Sequence, residues 1–168
     1  QAAALWDVAT HEGGVMNEPD GIIFAYCLDG EGGGDSIDLE GVKKWTPEEG
    51  TLWVHLDYNE PAAKNWLEQD SGIDPLMQEA LRAVETRPRC LVFKDAMLVI
   101  LRGVNLNQGA EPEDMVSIRF WLEENRIVTM RHRKVMAVED LRRAIEDGSG
   151  PIGSGGFLED LSDRLVAR

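Results

Sequence analysis

The longest unbroken apolar run in this 168-residue chain is seven residues, Ile22 to Leu28. Seven residues make one buried strand, whereas a helix that crosses a bilayer needs roughly 20. A core must therefore be assembled from short elements stacked on one another. The run is closed by Asp29-Gly30 and by Gly32-Gly33-Gly34, all turn residues, and a second strand-like piece is expected over Ser36–Leu39. Leu52, Val54 and Leu56 alternate with Trp53, His55 and Asp57, the period-two pattern of a sheet strand.

Helical spacing takes over next. Pro61 stands at a first helical position, and Ala63, Trp66 and Leu67 share a face. Asp74-Pro75 opens a second helix with Met77, Leu81 and Val84 on one side. Arg87-Pro88 is expected to close it, because proline pushes the residue before it out of the helical region. Cys90–Lys94 and Met97–Val104 read as a hairpin around Asp95-Ala96. Val116, Ile118, Phe120 and Leu122 alternate with Ser117, Arg119 and Trp121, and Glu123–Arg126 turns the chain into a partner strand, Ile127–Arg131. Val138, Leu141 and Ile145 give an amphipathic helix stopped by Gly148. After a linker from Gly148 to Gly156, Phe157, Leu158, Leu161 and Leu165 begin another. That last stripe meets no stop signal before Arg168, so the natural protein is expected to continue; it begins on Gln1, which suggests trimming there too. The order of elements predicts an α/β (α+β) fold, a mixed and largely antiparallel sheet sandwiched between helices. It occupies residues 21–168 behind a loose N-terminal arm at 1–20.

Charge narrows the function. Seventeen Lys+Arg against 31 Asp+Glu leave a formal net charge of −14. Such a body repels nucleic acid and anionic membrane and gathers cations. A positive segment followed by an apolar stretch is absent, so no signal peptide is expected.

Individual motifs are weak. Gly148-Ser149-Gly150-Pro151-Ile152-Gly153 spells GxGxxG, but a helix precedes it where a dinucleotide loop needs a strand, and Pro151 lacks an N–H; an interhelix linker is expected. Gly30–Gly34 fails as a phosphate loop because Ser36-Ile37-Asp38-Leu39 follows instead of a helix. Arg131-His132-Arg133-Lys134 is the densest basic cluster; with Glu139 and Asp140 close behind, it reads as a solvated or subunit-facing strand end. His11, His55 and His132 lie in unrelated segments with no metal-ligand spacing, and His55 is expected to lie against a covering helix. Cys27 and Cys90 form no CxxC pair and are expected to be reduced, buried thiols. No GxSxG nucleophile elbow occurs.

Three segments taken in order say more. Leu52-Trp53-Val54-His55-Leu56-Asp57 leads to Trp66-Leu67 and Gly72-Ile73-Asp74-Pro75-Leu76. Glu85-Thr86-Arg87-Pro88-Arg89 leads into Val92-Phe93 and Leu98–Leu101. Arg102-Gly103-Val104-Asn105 is followed by Asp114-Met115-Val116-Ser117-Ile118-Arg119, by Arg131-His132-Arg133-Lys134-Val135, and by Gly148-Ser149-Gly150-Pro151. The series resembles the cytoplasmic N-terminal domain of ZntB-type zinc transporters, within the CorA superfamily of divalent-cation transporters. On that resemblance Trp53, His55, Asp57, Glu85, Thr86, Arg87, Pro88, Arg89, Arg119, Arg131, Arg133, Gly150 and Pro151 are family-motif positions, expected to be structural, with the junction arginines pairing with nearby acidic groups. The resemblance implies one fifth of a homopentameric funnel on the cytoplasmic side of a bacterial inner membrane. It implies zinc or another divalent cation as the transported ion and no tightly bound cofactor. Membrane contact would come only through a following stalk and two membrane helices with a Gly-x-Asn signature. No regulatory metal ligand can be mapped onto positions here, and no catalytic residue is expected. The competing reading is a free-standing cytosolic α/β enzyme or small-molecule binder.

Overall fold

The computed structural model describes residues 21–83, 87–111, 113 and 115–166. The expected arm at 1–20, together with Val84, Glu85, Thr86 and Asp114, lies outside the described residues. Seven strands form one sheet: β1 (Ile22–Leu28), β2 (Gly34–Ser36), β3 (Thr51–Asp57), β4 (Arg89–Phe93), β5 (Ala96–Val104), β6 (Met115–Leu122) and β7 (Arg126–Arg131). Their spatial order is β2-β1-β3-β7-β6-β5-β4. Every neighbouring pair is antiparallel except β3 and β7, which run parallel with Leu52 beside Arg126 and Asp57 beside Arg131.

Alternation along the strands fills two cores. Phe24, Tyr26, Trp53, Ile118, Phe120 and Ile127 face α4 (Met136–Glu146) and α5 (Gly153–Val166), meeting Val138, Leu141, Phe157 and Leu161. Ala25, Leu52, Val54, Leu56, Val128 and Met130 face the other way. They meet Val42 of α1 (Leu39–Lys44), Ala63, Trp66 and Leu67 of α2 (Pro61–Gln69), and Met77 and Leu81 of α3 (Pro75–Arg82). Each fully buried aliphatic or Phe side chain contributes roughly 1.5–3 kcal/mol. The mixed, helix-sandwiched sheet is the architecture expected from the order of elements.

Four boundaries differ from the sequence reading. The strand after the glycine run is Gly34–Ser36, and Leu39 starts a helix instead, because the Asp38 carboxylate accepts from Gly41 N and caps it. α3 ends at Arg82, and Ala83 is already extended, so Pro88 is not its stop. Its last carbonyls are taken by side chains remote in sequence, Arg119 on Leu81 O and the Tyr58 hydroxyl on Arg82 O at 2.9 Å. The β4–β5 turn is Lys94-Asp95, one residue early, with Lys94 at φ +54° and Phe93 paired to Ala96. α5 begins at Gly153, so the linker is 148–152: burial of Phe157, Leu161 and Leu165 outweighs the poor helix propensity of Gly153, Gly155 and Gly156.

The cysteines lie on strands as expected but are not buried. Cys27 is half-buried with its thiol donating to Glu49 O at 3.3 Å, and Cys90 is exposed on the edge strand β4. The two glycine patches meet each other. Gly150 N donates to Gly32 O at 2.6 Å; a Cβ on Gly32, whose φ is +98°, would sit 2.6 Å from Gly148 O, and one on Gly150 would sit 2.6 Å from Ile145 Cγ1. This close approach is what both patches are for. Gly32→Ala should therefore destabilise by roughly 2 kcal/mol, a fall in Tm of about 4–8 °C. Gly155→Ala, at a helical position with open space around it, should hold or raise Tm. Thermal melts of both variants check this.

Candidate functional site

β3 carries three of the motif residues, and the pleat sets them on one face of the strand. Trp53 and His55 point into the α4/α5 core; Asp57 ends the strand. The Trp53 indole N–H donates to Thr129 Oγ1 at 2.9 Å, and Thr129 Oγ1 lies 2.6 Å from His55 Nδ1. An indole can only donate, so Thr129 Oγ1 accepts from Trp53; the same hydroxyl joins His55 Nδ1 and lies 3.5 Å from Val54 O, to which it donates. Phe24 packs against both rings, edge-to-face with Trp53 at 4.8 Å and tilted against His55 at 4.9 Å. Burial holds the His55 pKa well below the usual histidine value, and the nearby cations Arg131 and Arg142 push the same way. Arg142 stays in place by lying 4.8 Å over the Phe24 ring and donating to the Tyr26 hydroxyl at 2.8 Å. His55 is thus a neutral core histidine under a helical layer, as the alternation predicted.

The C-terminal ends of the parallel pair are where polar groups gather. In mixed sheets this edge is where loops part and leave room for a ligand. Tyr58 N donates to Arg131 O at 2.8 Å and Asn59 Nδ2 to His132 O at 2.9 Å, which laces the loop after β3 to the loop after β7. Asp57 Oδ1 accepts from Asn59 N at 2.9 Å. Three basic side chains then surround one ring: Lys64 Nζ lies 5.0 Å, Arg119 Cζ 5.7 Å and the His132 ring 4.1 Å from the centre of Tyr58. Partial burial lowers the pKa of His132, and Arg119, Lys64 and Arg133 lower it further against the opposing pull of Asp57.

The structure therefore brings Asp57, Arg119, Arg131 and Arg133 to one end of the sheet, with Arg89 one strand beyond Ile100 in the same row. Trp53 and His55 lie in the core. Gly150 and the buried Pro151 lie at the other end, beside the glycines that follow β1. Arg87 and Pro88 are exposed; Glu85 and Thr86 lie outside the described residues. Among the described residues no carboxylate forms an ion pair with Arg89, which stands opposite Ile100 of β5. Tyr58, Lys64 and Thr129 were not singled out in the sequence. Thr129 had a signal, being the one polar residue in the apolar stretch Ile127–Met130. Among the described residues no three His, Cys, Asp or Glu side chains group so as to hold a metal ion. A cleft of about 320 Å³ between the β4–β5 turn and the start of α5 holds none of the motif residues.

Comparison with known proteins agrees with this geometry. The family model for the CorA-like Mg2+ transporter protein matches residues 48–168. The divalent cation transporter CmaX of Pseudomonas aeruginosa is 42% identical over 151 residues, covering 88% of this chain and 45% of that protein. The zinc transport protein ZntB of Yersinia pestis is 34% identical over 144 residues, covering 86% and 43%. The solved full-length CmaX protein superimposes with a TM-score of 0.85 at 37% identity, over 91% of this chain and 47% of that one. The ZntB cytoplasmic domain from Vibrio parahaemolyticus, at 24% identity and a TM-score of 0.75 over 87% and 58%, shares the fold. The chain spans less than half the length of these curated relatives.

The neutral His55 makes stability pH-dependent. Its pKa in the folded state lies below the unfolded value, so its contribution is complete above about pH 6.5 and is lost as pH falls toward the folded value, by up to about 1.4 kcal/mol per pH unit. His132 acts in the same direction, weakly because it is exposed. Urea melts between pH 5 and 7 should show stability falling with acid in the wild type and a flatter profile in His55→Gln.

Proposed function

The chain belongs to the CorA-like family, and from that premise we propose that it is the cytoplasmic funnel domain of a divalent-cation transporter in a bacterial inner membrane, with no chemistry of its own. The observation that carries the reading is the 42% identity to CmaX over 88% of the chain, joined to a TM-score of 0.85 against that full-length protein. Zinc is the ion we assign, on the likeness to proteins named as zinc transporters. The transport path itself would lie in segments this chain does not contain, since no described helix is long and apolar enough to cross a membrane.

The charge supports a part for this domain in gathering the ion. Five copies of a −14 body around one axis, the homopentamer we propose, would draw divalent cations toward the axis and turn anions away. No tightly held cofactor is part of the proposal; the cation is cargo. The free-standing enzyme or binder has no observation in its favour.

The test begins with the reading frame beyond Arg168. Two apolar stretches of roughly 20 residues joined by a Gly-x-Asn loop are expected there. The full protein, reconstituted in liposomes, should then pass zinc at least tenfold faster than magnesium. A stop codon near Arg168, or liposomes no leakier to any divalent cation than protein-free ones, would overturn the reading; magnesium flux without zinc flux would overturn the assigned ion.

A further inference from the structure

Among the described residues, three buried side-chain nitrogen or oxygen atoms lack a hydrogen-bond partner: Arg89 Nε, Arg119 Nε and Trp121 Nε1. All three are N–H donors. They also share one face of the sheet. Arg89 stands opposite Ile100 and Ile100 opposite Arg119, so the two arginines flank one buried isoleucine in a single cross-strand row. Trp121 lies two residues along β6 from Arg119. Arg119 is only 3% exposed and gives one N–H to Leu81 O, which leaves its Nε over.

Buried donors without acceptors cost free energy, and buried cations without counter-charge cost more. A water molecule would supply an acceptor but no charge. The surroundings add positive charge from Lys64, which shares the Tyr58 ring with Arg119 and the His132 imidazole, and from Arg133, which acts on His132 as they do, with Asp57 the opposing charge. Burial lowers the Arg119 pKa, and the charge of Arg89 lowers it too, against a larger opposing pull from Tyr58. This is a cationic cluster in a domain that is strongly acidic as a whole, and its orphaned groups are donors. The guanidinium fork matches an oxyanion, which can accept two parallel N–H bonds from one arginine.

We propose that Arg89 and Arg119 form the floor of an anion site at the C-terminal edge of the parallel strands, with Lys64, His132 and Arg133 at its mouth, and that it takes a small inorganic oxyanion of the phosphate class. The bound ion accepts from the orphaned Nε groups and neutralises the arginine pair. The site acts on the rigidity of this edge, because it ties β4 and β6 to the loops that follow β3 and β7.

The experiment uses the 168-residue chain with sodium phosphate or sodium chloride at matched ionic strength. Phosphate should bind saturably, one per chain, and raise Tm beyond the effect of chloride. The NMR titration of His132 should move to higher pH with phosphate, since an anion offsets the cations that depress it. Arg89→Gln and Arg119→Lys should each weaken phosphate binding at least tenfold and abolish the His132 shift. Arg89 lies on a half-exposed edge strand, so its variant carries the test if the Arg119 variant does not fold. Equal responses to phosphate and chloride with His132 unmoved, or unchanged phosphate affinity in Arg89→Gln, would overturn the proposal.

Discussion

The parallel pairing of β3 with β7 is the contact on which the rest of the fold depends. It joins the strands that come first among the described residues, β2-β1-β3, to the other half of the sheet, β7-β6-β5-β4. Parallel neighbours cannot be joined by a tight turn, so residues 58–125 must leave and return before the ladder closes. Closing it buries both faces at once: Trp53, His55 and Thr129 beneath α4 and α5, Val54, Leu56, Val128 and Met130 beneath α2 and α3. The same register sets Asp57 beside Arg131 and so throws both following loops to one end of the sheet. The basic cluster around Tyr58 is a consequence of that topology.

Much of this was legible in the residues. Strand alternation in Leu52–Asp57 and Val116–Leu122 located the central strands and their two buried faces, and Pro61 and Asp74-Pro75 marked two helix starts correctly. What local signals could not supply was set by distant contacts. α3 stops where Arg119 and Tyr58 reach its carbonyls, not at the proline that follows. α5 runs through three glycines because its apolar stripe has a core to pack on. The parallel neighbourhood of β3 and β7 has no local signature at all.

The site was legible as a set of motif residues but not as a geometry. Arg89, Arg119 and Arg131 lie on three different strands, and only the register shows that they gather at one edge while Gly150 and Pro151 lie at the other. The GxGxxG string shows the converse: the letters suggest a phosphate cradle, and the structure spends Gly150 on a backbone contact with Gly32. Net charge misleads in a similar way. A total of −14 describes the far field that approaching cations feel, while the side chains set around the Tyr58 ring include the cations Lys64 and Arg119. Those two statements concern different distances and do not conflict.

The measurement that tests the central claim most directly is native-state hydrogen exchange resolved by residue. If the β3–β7 ladder holds the two halves together, the amides of Trp53–Leu56 and Ile127–Met130 should exchange only through global unfolding, with an opening free energy equal to that from denaturant melts. The edge strand β4 should open at much lower cost. Exchange of the β3 and β7 amides at a free energy below that of the β5–β6 hairpin would contradict the account, because the halves would then separate while each stayed folded.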